Sequence, residues 1–341
     1  MKKKDILLLL LLLLTALSLL SLIVGYSKLG LTDLFATLSG QANTATQLIF
    51  WKIRLPRLLV SILAGGALAV SGHLFQTLTR NALADSGILG VNAGAGLLLT
   101  LALTWNISFP LSQPVLALTG GFLATGLVYL LAYKKGRGIE PTRLVLTGVG
   151  LASLFSSSMI SLMVRFDRYK LDNIIGWLTG RYVGDDWQTI SLVDPALLVL
   201  CLLSFIRFSR LNILQLEPSL GTGLGLDRQK ESVIVIFLAT SLASLSSLLV
   251  GNTAFVGLLA GHLAKQIVGK QHQVSLPTAF LIGSILMVLA DMVARSFLVG
   301  TGIPTGLVLT MIGTPYFLFL LKQEEAGQKL ASHNKKTSNS N

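Results

Sequence analysis

The chain has 341 residues, of which 52% are hydrophobic and only 12% charged, and this composition excludes a soluble protein with a mostly polar surface. The single cysteine, Cys201, excludes an intrachain disulfide framework. A net charge of +12 could indicate nucleic-acid binding, but the basic residues lie between apolar blocks and no recognition motif accompanies them, so the charges indicate membrane topology instead.

The first apolar run extends from Ile6 to Val24, directly after three lysines and an aspartate. A signal peptide and a first membrane-spanning helix both fit a basic start followed by an apolar stretch. We favour the helix, because the run is longer than a usual signal sequence and no Ala-x-Ala site precedes the polar residues near Tyr26. Cleavage remains the alternative.

Nine further apolar runs of 15 to 23 residues follow, and a helix needs roughly 20 residues to cross about 30 Å of hydrocarbon. They are Leu58–Leu78, Ile88–Trp105, Pro114–Tyr133, Leu144–Val164, Trp187–Ile206, Ser232–Val250, Ala254–Val268, Leu276–Leu298 and Pro304–Leu321. Small residues are dense in the first two of these nine, and in lipid they let helices approach closely. The sequence therefore predicts an all-α integral membrane protein with ten transmembrane helices in a compact bundle.

The distribution of basic residues predicts the orientation of the bundle. With the N-terminus inside, 18 of the 27 Lys and Arg residues fall in cytoplasmic segments, in agreement with the positive-inside rule. An even number of spans also places the C-terminus inside. No long linker divides residues 1–341, so we expect one domain, closed by a short polar tail at residues 332–341.

The residues of a catalytic or nucleotide-binding site are missing from the sequence. His73 has no carboxylate or cysteine near it in the sequence, and the glycines between Gly221 and Gly225 lack a Walker lysine. We interpret Asp291 as the one acidic residue within a span, with Arg295 on the same helical face to neutralise it. A single neutralised pair does not provide the ionisable groups that an ion-coupled transporter needs, so we expect the energy source on another subunit. Because catalytic and ligand-binding motifs are missing, we also expect no enzyme, no cofactor and no metal on this chain.

Two sets of motifs identify a family. The first half of the chain contains Arg54-Leu-Pro-Arg57, Gly65-Gly66-Ala-Leu-Ala-Val-Ser-Gly-His-Leu-Phe-Gln76 and Asn81-Ala-Leu-Ala-Asp85-Ser-Gly-Ile-Leu-Gly90. The second half contains Phe255-Val-Gly-Leu-Leu-Ala-Gly-His262, Ala290-Asp-Met-Val-Ala-Arg295, Ile303-Pro-Thr-Gly306 and Ile312-Gly-Thr-Pro315. In order and spacing these segments resemble the FecCD family of ABC-importer permeases. Ala82, Ser86 and Gly261 stand where that family usually has proline.

The resemblance implies a ten-helix permease of the type II importer kind in the bacterial cytoplasmic membrane. A second permease copy or paralogue, two cytoplasmic ABC ATPases that bind ATP and Mg, and an external substrate-binding protein would complete the transporter. It also implies an ATPase-coupling loop within residues 212–230. The coupling residues expected there are Leu216, Glu217, Ser219, Leu220, Gly221 and Gly225, with Pro218 in the first turn of a short helix.

By the same resemblance, Arg54, Arg57 and Arg295 would dock the binding protein as charges at the outer rim. The alternative is that Arg54 and Arg57 anchor a helix at the interface and that Arg295 only pairs with its neighbouring aspartate. A cytoplasmic gate would include Asn81, Leu83 and Thr142, although a simple capping turn at Asn81 explains that residue equally well.

The substrate is the least determined property, because selectivity in such importers lies mainly in the binding protein. Trp177-Leu-Thr-Gly180 and Ile303-Pro-Thr-Gly306 resemble the iron-siderophore permeases more than the vitamin B12 branch, and haem stays a close second. Two other classes remain open: an ion-coupled secondary transporter and a structural or signalling membrane subunit.

Overall fold

The computed structural model describes residues 2–25, 30–87, 89–105, 112–134, 138–139, 141–162, 168–297, 303–319 and 322. Within these ranges the chain is almost entirely helical. The helices are α1 (Lys3–Ile23), α2 (Leu31–Leu38), α3 (Thr44–Leu48), α4 (Leu55–Thr79), α5 (Val91–Thr104), α6 (Ser112–Ala132), α7 (Pro141–Leu162), α8 (Arg168–Leu178), α9 (Trp187–Ile206), α10 (Phe208–Leu214), α11 (Pro218–Gly223), α12 (Arg228–Val250), α13 (Val256–Val268), α14 (His272–Phe297) and α15 (Thr305–Phe319). A π-helical segment, Ile49–Arg54, joins α3 to α4, and a two-residue antiparallel pair, Tyr133–Lys134 with Gly138–Ile139, follows α6.

Seven helical segments of the described chain are long and apolar enough to cross a membrane. Three shorter apolar helices, α5, α13 and α15, coincide with three of the predicted spans. Every predicted span therefore corresponds to an apolar helix, which confirms the all-α membrane fold. The count of ten spans and the cytoplasmic position of both termini stay predictions, and the predicted tail at 332–341 lies outside the described residues.

The centre of the bundle is α4, which packs against α12, α13 and α14. Close approach between backbones explains the glycines. A Cβ atom added at Gly72 would lie 2.4 Å from the Cα atom of Gly257, and one at Gly65 would lie 2.7 Å from the carbonyl oxygen of Gly283. The prediction of a compact bundle built on small residues is confirmed at this point, since any larger side chain would push the helices apart.

Two tryptophans differ in environment. Trp177 and Trp187 lie in or beside the segment between two predicted spans, where tryptophan is typical of the membrane interface. Trp177 is instead buried at the end of α8 against Gly96 of α5. Trp187 is exposed, and its indole N–H donates to the carbonyl of Trp51 at 2.8 Å. The short helix α8 thus turns its last residues into the bundle, which a hydropathy pattern does not reveal.

Candidate functional site

The predicted ATPase-coupling residues lie in a segment that we call the coupling segment, residues 208–227, which comprises α10, α11 and the turns that follow them. Three leucines spaced four residues apart are exposed on it: Leu216 is 37% exposed, Leu220 58% and Leu224 62%. Leu220 lies within α11, and Leu216 and Leu224 flank that helix on its two sides. The segment therefore presents three exposed leucines, which we call the apolar strip and which no other described part of the chain covers.

Local sequence explains the shape of α11. The helix begins at Pro218, which has no N–H to leave unsatisfied at the first position, and Glu217 is its N-cap residue. At the other end Gly225 adopts a positive φ of 79°. The N–H of Leu226 donates to Gly221 and that of Gly225 to Thr222, at 3.1 and 2.9 Å, which is a Schellman closure. The expected start of this helix at Pro218 is confirmed.

Charged side chains hold the coupling segment against α12. Glu231 is buried, and its carboxylate accepts from Arg207 Nε at 3.1 Å and from an Arg210 guanidinium nitrogen at 3.4 Å. Arg228 donates to the carbonyl oxygens of Leu214 and Leu216 at 3.0 and 3.2 Å. These contacts tie the segment to the start of α12 on both sides of its turn. Sequence reasoning missed Glu231, because Arg207 and Arg210 lie 24 and 21 residues away from it along the chain.

A chain of polar contacts, half-buried at Asn212 and buried at Thr77, runs from the coupling segment into the bundle, and we call it the polar link. Asn212 Oδ1 accepts from the backbone N–H of His272 at 2.9 Å and lies 2.8 Å from its Nδ1 atom. His272 Nε2 lies 2.7 Å from Thr77 Oγ1, and that hydroxyl bonds the carbonyl of His73 at 2.9 Å. Residues of α10, α14 and α4 are thereby joined. His73 does have a polar environment, since its Nε2 atom lies 3.0 Å from Ser275 Oγ.

The loop after α4 holds two of the predicted gate residues. Asn81 Oδ1 accepts from the backbone N–H of Leu83 at 2.8 Å, which forms a local turn. Leu83 is half-buried and packs against Leu258 and Leu259 of α13. The turn at Asn81 is therefore observed. Thr142 lies in the first turn of α7, with its side chain outside the described residues, so the assembly of a gate from these three residues stays a prediction.

Asp85 lies in the same loop and is buried beside the N-terminus of α13. A Cβ atom added at Gly257 would lie 2.2 Å from its Oδ1 atom. Burial raises the pKa of the Asp85 carboxyl to about 6, and hydrogen bonds from the backbone of Gly87 and Ser86 oppose that rise. In the sequence, Asp85 belongs to the motif from Asn81 to Gly90, and the motif alone predicts no role for its carboxylate.

Two of the three predicted docking arginines, Arg57 and Arg295, contact the same carboxylate, that of Asp291. Arg57 Nε lies 2.6 Å from Asp291 Oδ1, and Arg295 Nε lies 2.8 Å from Oδ2. The guanidinium of Arg57 also stands 4.8 Å above the ring of Tyr182, whose hydroxyl lies 2.9 Å from Ser61 Oγ. The predicted pairing of Arg295 with Asp291 is confirmed, and Arg57 is a second partner that the sequence did not reveal.

Two of these arginines also hold the end of α1. Arg54 donates to the carbonyl of Leu22, and Arg295 donates to the hydroxyl and carbonyl oxygens of Ser21, at 2.7 and 3.3 Å. Basic side chains commonly satisfy the last carbonyls of a helix in this way. Arg54 is only 3% exposed, so the expectation that it forms part of an exposed rim is wrong. A docking role for the three arginines stays a prediction.

The interpretation of Asp291 as the one acidic residue within a span is also wrong. Asp194 lies in α9, inside the predicted span Trp187–Ile206, and it is buried next to Pro195. Among the residues that the structure describes, no group of three or more His, Cys, Asp or Glu side chains could hold a metal ion.

Comparison with known proteins gives consistent results. Residues 11–323 match the FecCD transport family. The iron(3+)-hydroxamate import system permease protein FhuG of Bacillus subtilis is 35% identical over 310 residues, which cover 89% of this chain and 92% of the relative. The ferric enterobactin transport system permease protein FepD of Escherichia coli is 35% identical over 324 residues, covering 94% of this chain and 95% of the relative.

A solved structure is similar over nearly the whole length. The structure described as an inward-facing conformation of a putative metal-chelate type ABC transporter has a TM-score of 0.79 and 30% identity, with 94% of this chain and 99% of that chain covered. Together with the apolar helices, these matches show that the chain belongs to the FecCD transport family and is a multi-pass permease subunit of an ABC importer in the bacterial cytoplasmic membrane.

Proposed function

We propose that this permease carries iron(III) chelates of the siderophore class into the cytoplasm, driven by ATP and Mg on a separate ATPase subunit. The names of similar permeases support the substrate class, since they include hydroxamate, enterobactin and citrate systems. The chain itself performs no chemical step. It provides the path, and a second permease copy or paralogue provides the other half.

The observation that carries the proposal is the exposed apolar strip of Leu216, Leu220 and Leu224. Apolar side chains outside the membrane are expensive to leave in water, and a contiguous exposed patch marks an interaction surface. The strip lies on a segment that Glu231 and Arg228 join to α12. A partner that displaces the strip would therefore displace the start of α12 as well. We infer that the ATPase docks here, with Glu217, Ser219, Gly221 and Gly225 shaping the contact.

Movement of the coupling segment would reach the inner mouth through the polar link. Asn212 belongs to the segment, and Thr77 lies near the end of α4, four residues before Asn81. Because these contacts are 2.7–2.9 Å long and the contacts of Thr77 are buried, a shift of α10 would be transmitted to α4. The loop that carries Asn81 and Leu83 would then move, with Thr142 on the other side of the gate.

At the opposite end, we propose that the external binding protein docks near the arginine cluster. The accessible edges there belong to Arg57 and Arg295, whose side chains are 21% and 15% exposed. Asp185 lies near Arg57, and burial raises the pKa of its carboxyl while the arginine opposes the rise. Docking charges of this kind mainly orient the encounter, and Arg54 would contribute through the position of α1.

The proposal is tested by uptake of labelled ferric hydroxamate, ferric enterobactin, ferric citrate, haem and vitamin B12 into cells that lack this chain, with the gene restored as wild type or variant. Leu220→Asp should reduce chelate uptake at least about tenfold, the change that follows from losing roughly 1.4 kcal/mol of interface. Gln229→Asp is the matched control, since it adds the same charge to an exposed position outside the strip.

The outcomes separate the competing classes. Equal loss in Leu220→Asp and Gln229→Asp cells would contradict the coupling assignment. Uptake that survives a Walker-lysine substitution in the partner ATPase would indicate an ion-coupled transporter instead. Uptake of haem or vitamin B12 alone would leave the coupling mechanism intact and replace only the substrate.

A further inference from the structure

A cavity of about 510 Å³ opens at the end of the bundle that carries the coupling segment. The ends of α4 and α6 and the beginnings of α7 and α12 enclose it. Ligand cavities in proteins usually measure about 300–1,000 Å³. The cavity is therefore large enough for part of an organic molecule, and none of the functions proposed above uses it.

The walls combine an apolar interior with two guanidinium groups. Of the thirteen residues that line the cavity, eight are Phe, Leu, Val, Ile or Thr. Two lining residues, Arg80 and Arg228, are basic. No acidic residue lines the cavity. In the described part of the chain neither arginine forms an ion pair, and the hydrogen bonds of Arg228 go to neutral carbonyl groups. Two uncompensated positive charges beside apolar walls favour an anionic amphiphile.

The exposed face of α6 indicates that the opening faces lipid. Tyr129 and Tyr133 line the cavity and are also 42% and 51% exposed. They stack on each other with ring centroids 6.4 Å apart, and the neighbouring side chains Leu130 and Leu131 on this membrane helix are exposed too. Tyrosines at the end of a spanning helix are typical of the headgroup level of a bilayer.

We propose that this cavity binds an anionic phospholipid of the cytoplasmic leaflet. Its phosphate would lie between Arg80 and Arg228, and part of an acyl chain would lie along the apolar wall behind Val128. Basic pockets between transmembrane helices on the cytoplasmic side recognise anionic headgroups by this chemistry. A free phosphate ion offers the same negative charge but no apolar tail, so the two sources can be separated by experiment.

The lipid would contact the parts that move during transport, and this consequence rests on the proposed function. Arg80 ends α4 with a left-handed backbone, φ 52°, directly before Asn81. Leu89 lies at the far end of the same loop, and Leu144 lies in the first turn or two of α7. Arg228 holds the carbonyls of the coupling segment. An occupied cavity would thus connect both predicted gate loops to the ATPase surface.

Binding is tested on the full-length permease, purified in mild detergent without its partners, by native mass spectrometry after exchange with phosphatidylglycerol or phosphatidylcholine. We expect phosphatidylglycerol to be retained preferentially, and Arg80→Gln to lower its retention by about fivefold, the contribution of one arginine at an anionic surface. Arg80→Lys should keep most of the binding. Ser232→Phe, which narrows the cavity without altering a charge, should lower retention of the lipid to a similar extent.

Lys270→Gln is the matched control, because it removes one exposed positive charge outside the cavity, and it should leave retention unchanged within about twofold. Three results would overturn the proposal: equal retention of the two lipids, displacement of phosphatidylglycerol by inorganic phosphate, or an equal loss in Lys270→Gln. Unchanged lipid retention in Arg80→Gln would also overturn it. Since the measurement requires neither uptake nor an ATPase, its failure is distinguishable from a failure of the transport proposal.

Discussion

The arginine cluster at one end of the bundle and the coupling segment at the other reverse the usual arrangement of charged and apolar side chains. Arg54, Arg57 and Arg295 turn inward to Asp291 and to the end of α1. The coupling segment instead turns leucines outward, with Leu220 and Leu224 more than half exposed. A residue's type alone therefore did not tell which of the two regions is accessible to a partner.

The physical reason lies in the environment of each region. Near a membrane, an unpaired charged side chain has a high free energy, and pairing with an opposite charge lowers it. Beyond the membrane, an apolar side chain gains nothing from lipid, so its exposure indicates a protein surface that is to be covered. The coupling segment consequently has the stronger structural support as a docking site, and the four predictions below test this contrast.

The largest effect is expected for Gly221→Trp in the coupling segment. Gly221 is buried beside Arg228, whose guanidinium would lie 3.3 Å from an added Cβ atom. An indole there should displace α11 from α12, abolish uptake and separate ATP hydrolysis from stimulation by the binding protein. Gly223→Ala is the control, because a Cβ atom at Gly223 would meet nothing within 4 Å. Normal uptake by Gly221→Trp, at wild-type membrane level, would contradict the assignment.

The second prediction concerns stability at the arginine cluster. Asp291→Ala would remove a buried carboxylate and leave two half-buried guanidinium groups without their partner. Removing one partner of a buried ion pair usually costs about 3–5 kcal/mol. We expect a large fall in the thermal unfolding midpoint of the purified permease. Asp172→Ala removes an exposed pair with Arg181, 3.7 Å apart, and should cost less than about 1 kcal/mol. Similar midpoints for the two variants would show that the cluster is not structural.

The third prediction uses the pH dependence of Asp85. Its pKa of about 6 in the folded protein exceeds the ordinary value of 3.8, so the folded state binds more protons between these two values and stability falls as pH rises through that window. Asp85→Asn removes this pH-dependent loss of stability, because asparagine does not ionise. The unfolding midpoint of the variant relative to wild type should therefore increase from pH 4 to pH 7. A constant difference across that range would exclude a buried, titrating Asp85.

The smallest effect is expected for docking at the arginine cluster. Exposed ion pairs contribute only about 0.2–1 kcal/mol, so Arg57→Gln should weaken association with the binding protein modestly. An acid-to-lysine change on that protein should restore part of the uptake lost in Arg57→Glu, while Arg54→Glu should not be rescued, because Arg54 is buried against Leu22. No rescue of either variant would leave the cluster with a purely structural role.

The sequence by itself determined the membrane fold, the position of each apolar helix and the family. Long apolar runs satisfy their backbone hydrogen bonds in lipid as helices, and local chemistry at Pro218 and Gly225 explains where α11 begins and ends. Its motifs also predicted a coupling loop, a gate at Asn81 and docking arginines, and these assignments stay predictions.

Only the tertiary structure decided which side chains meet. Thr77 and His272 lie 195 residues apart and Arg57 and Asp291 lie 234 apart, and no periodicity within one helix contains such pairs. The position of Trp177 between two predicted spans suggests an interface residue, but in the structure α8 packs it against Gly96. The accessibility of a charged or apolar residue depends on the neighbouring helices that pack around it, and those neighbours are set by long-range packing of the whole bundle.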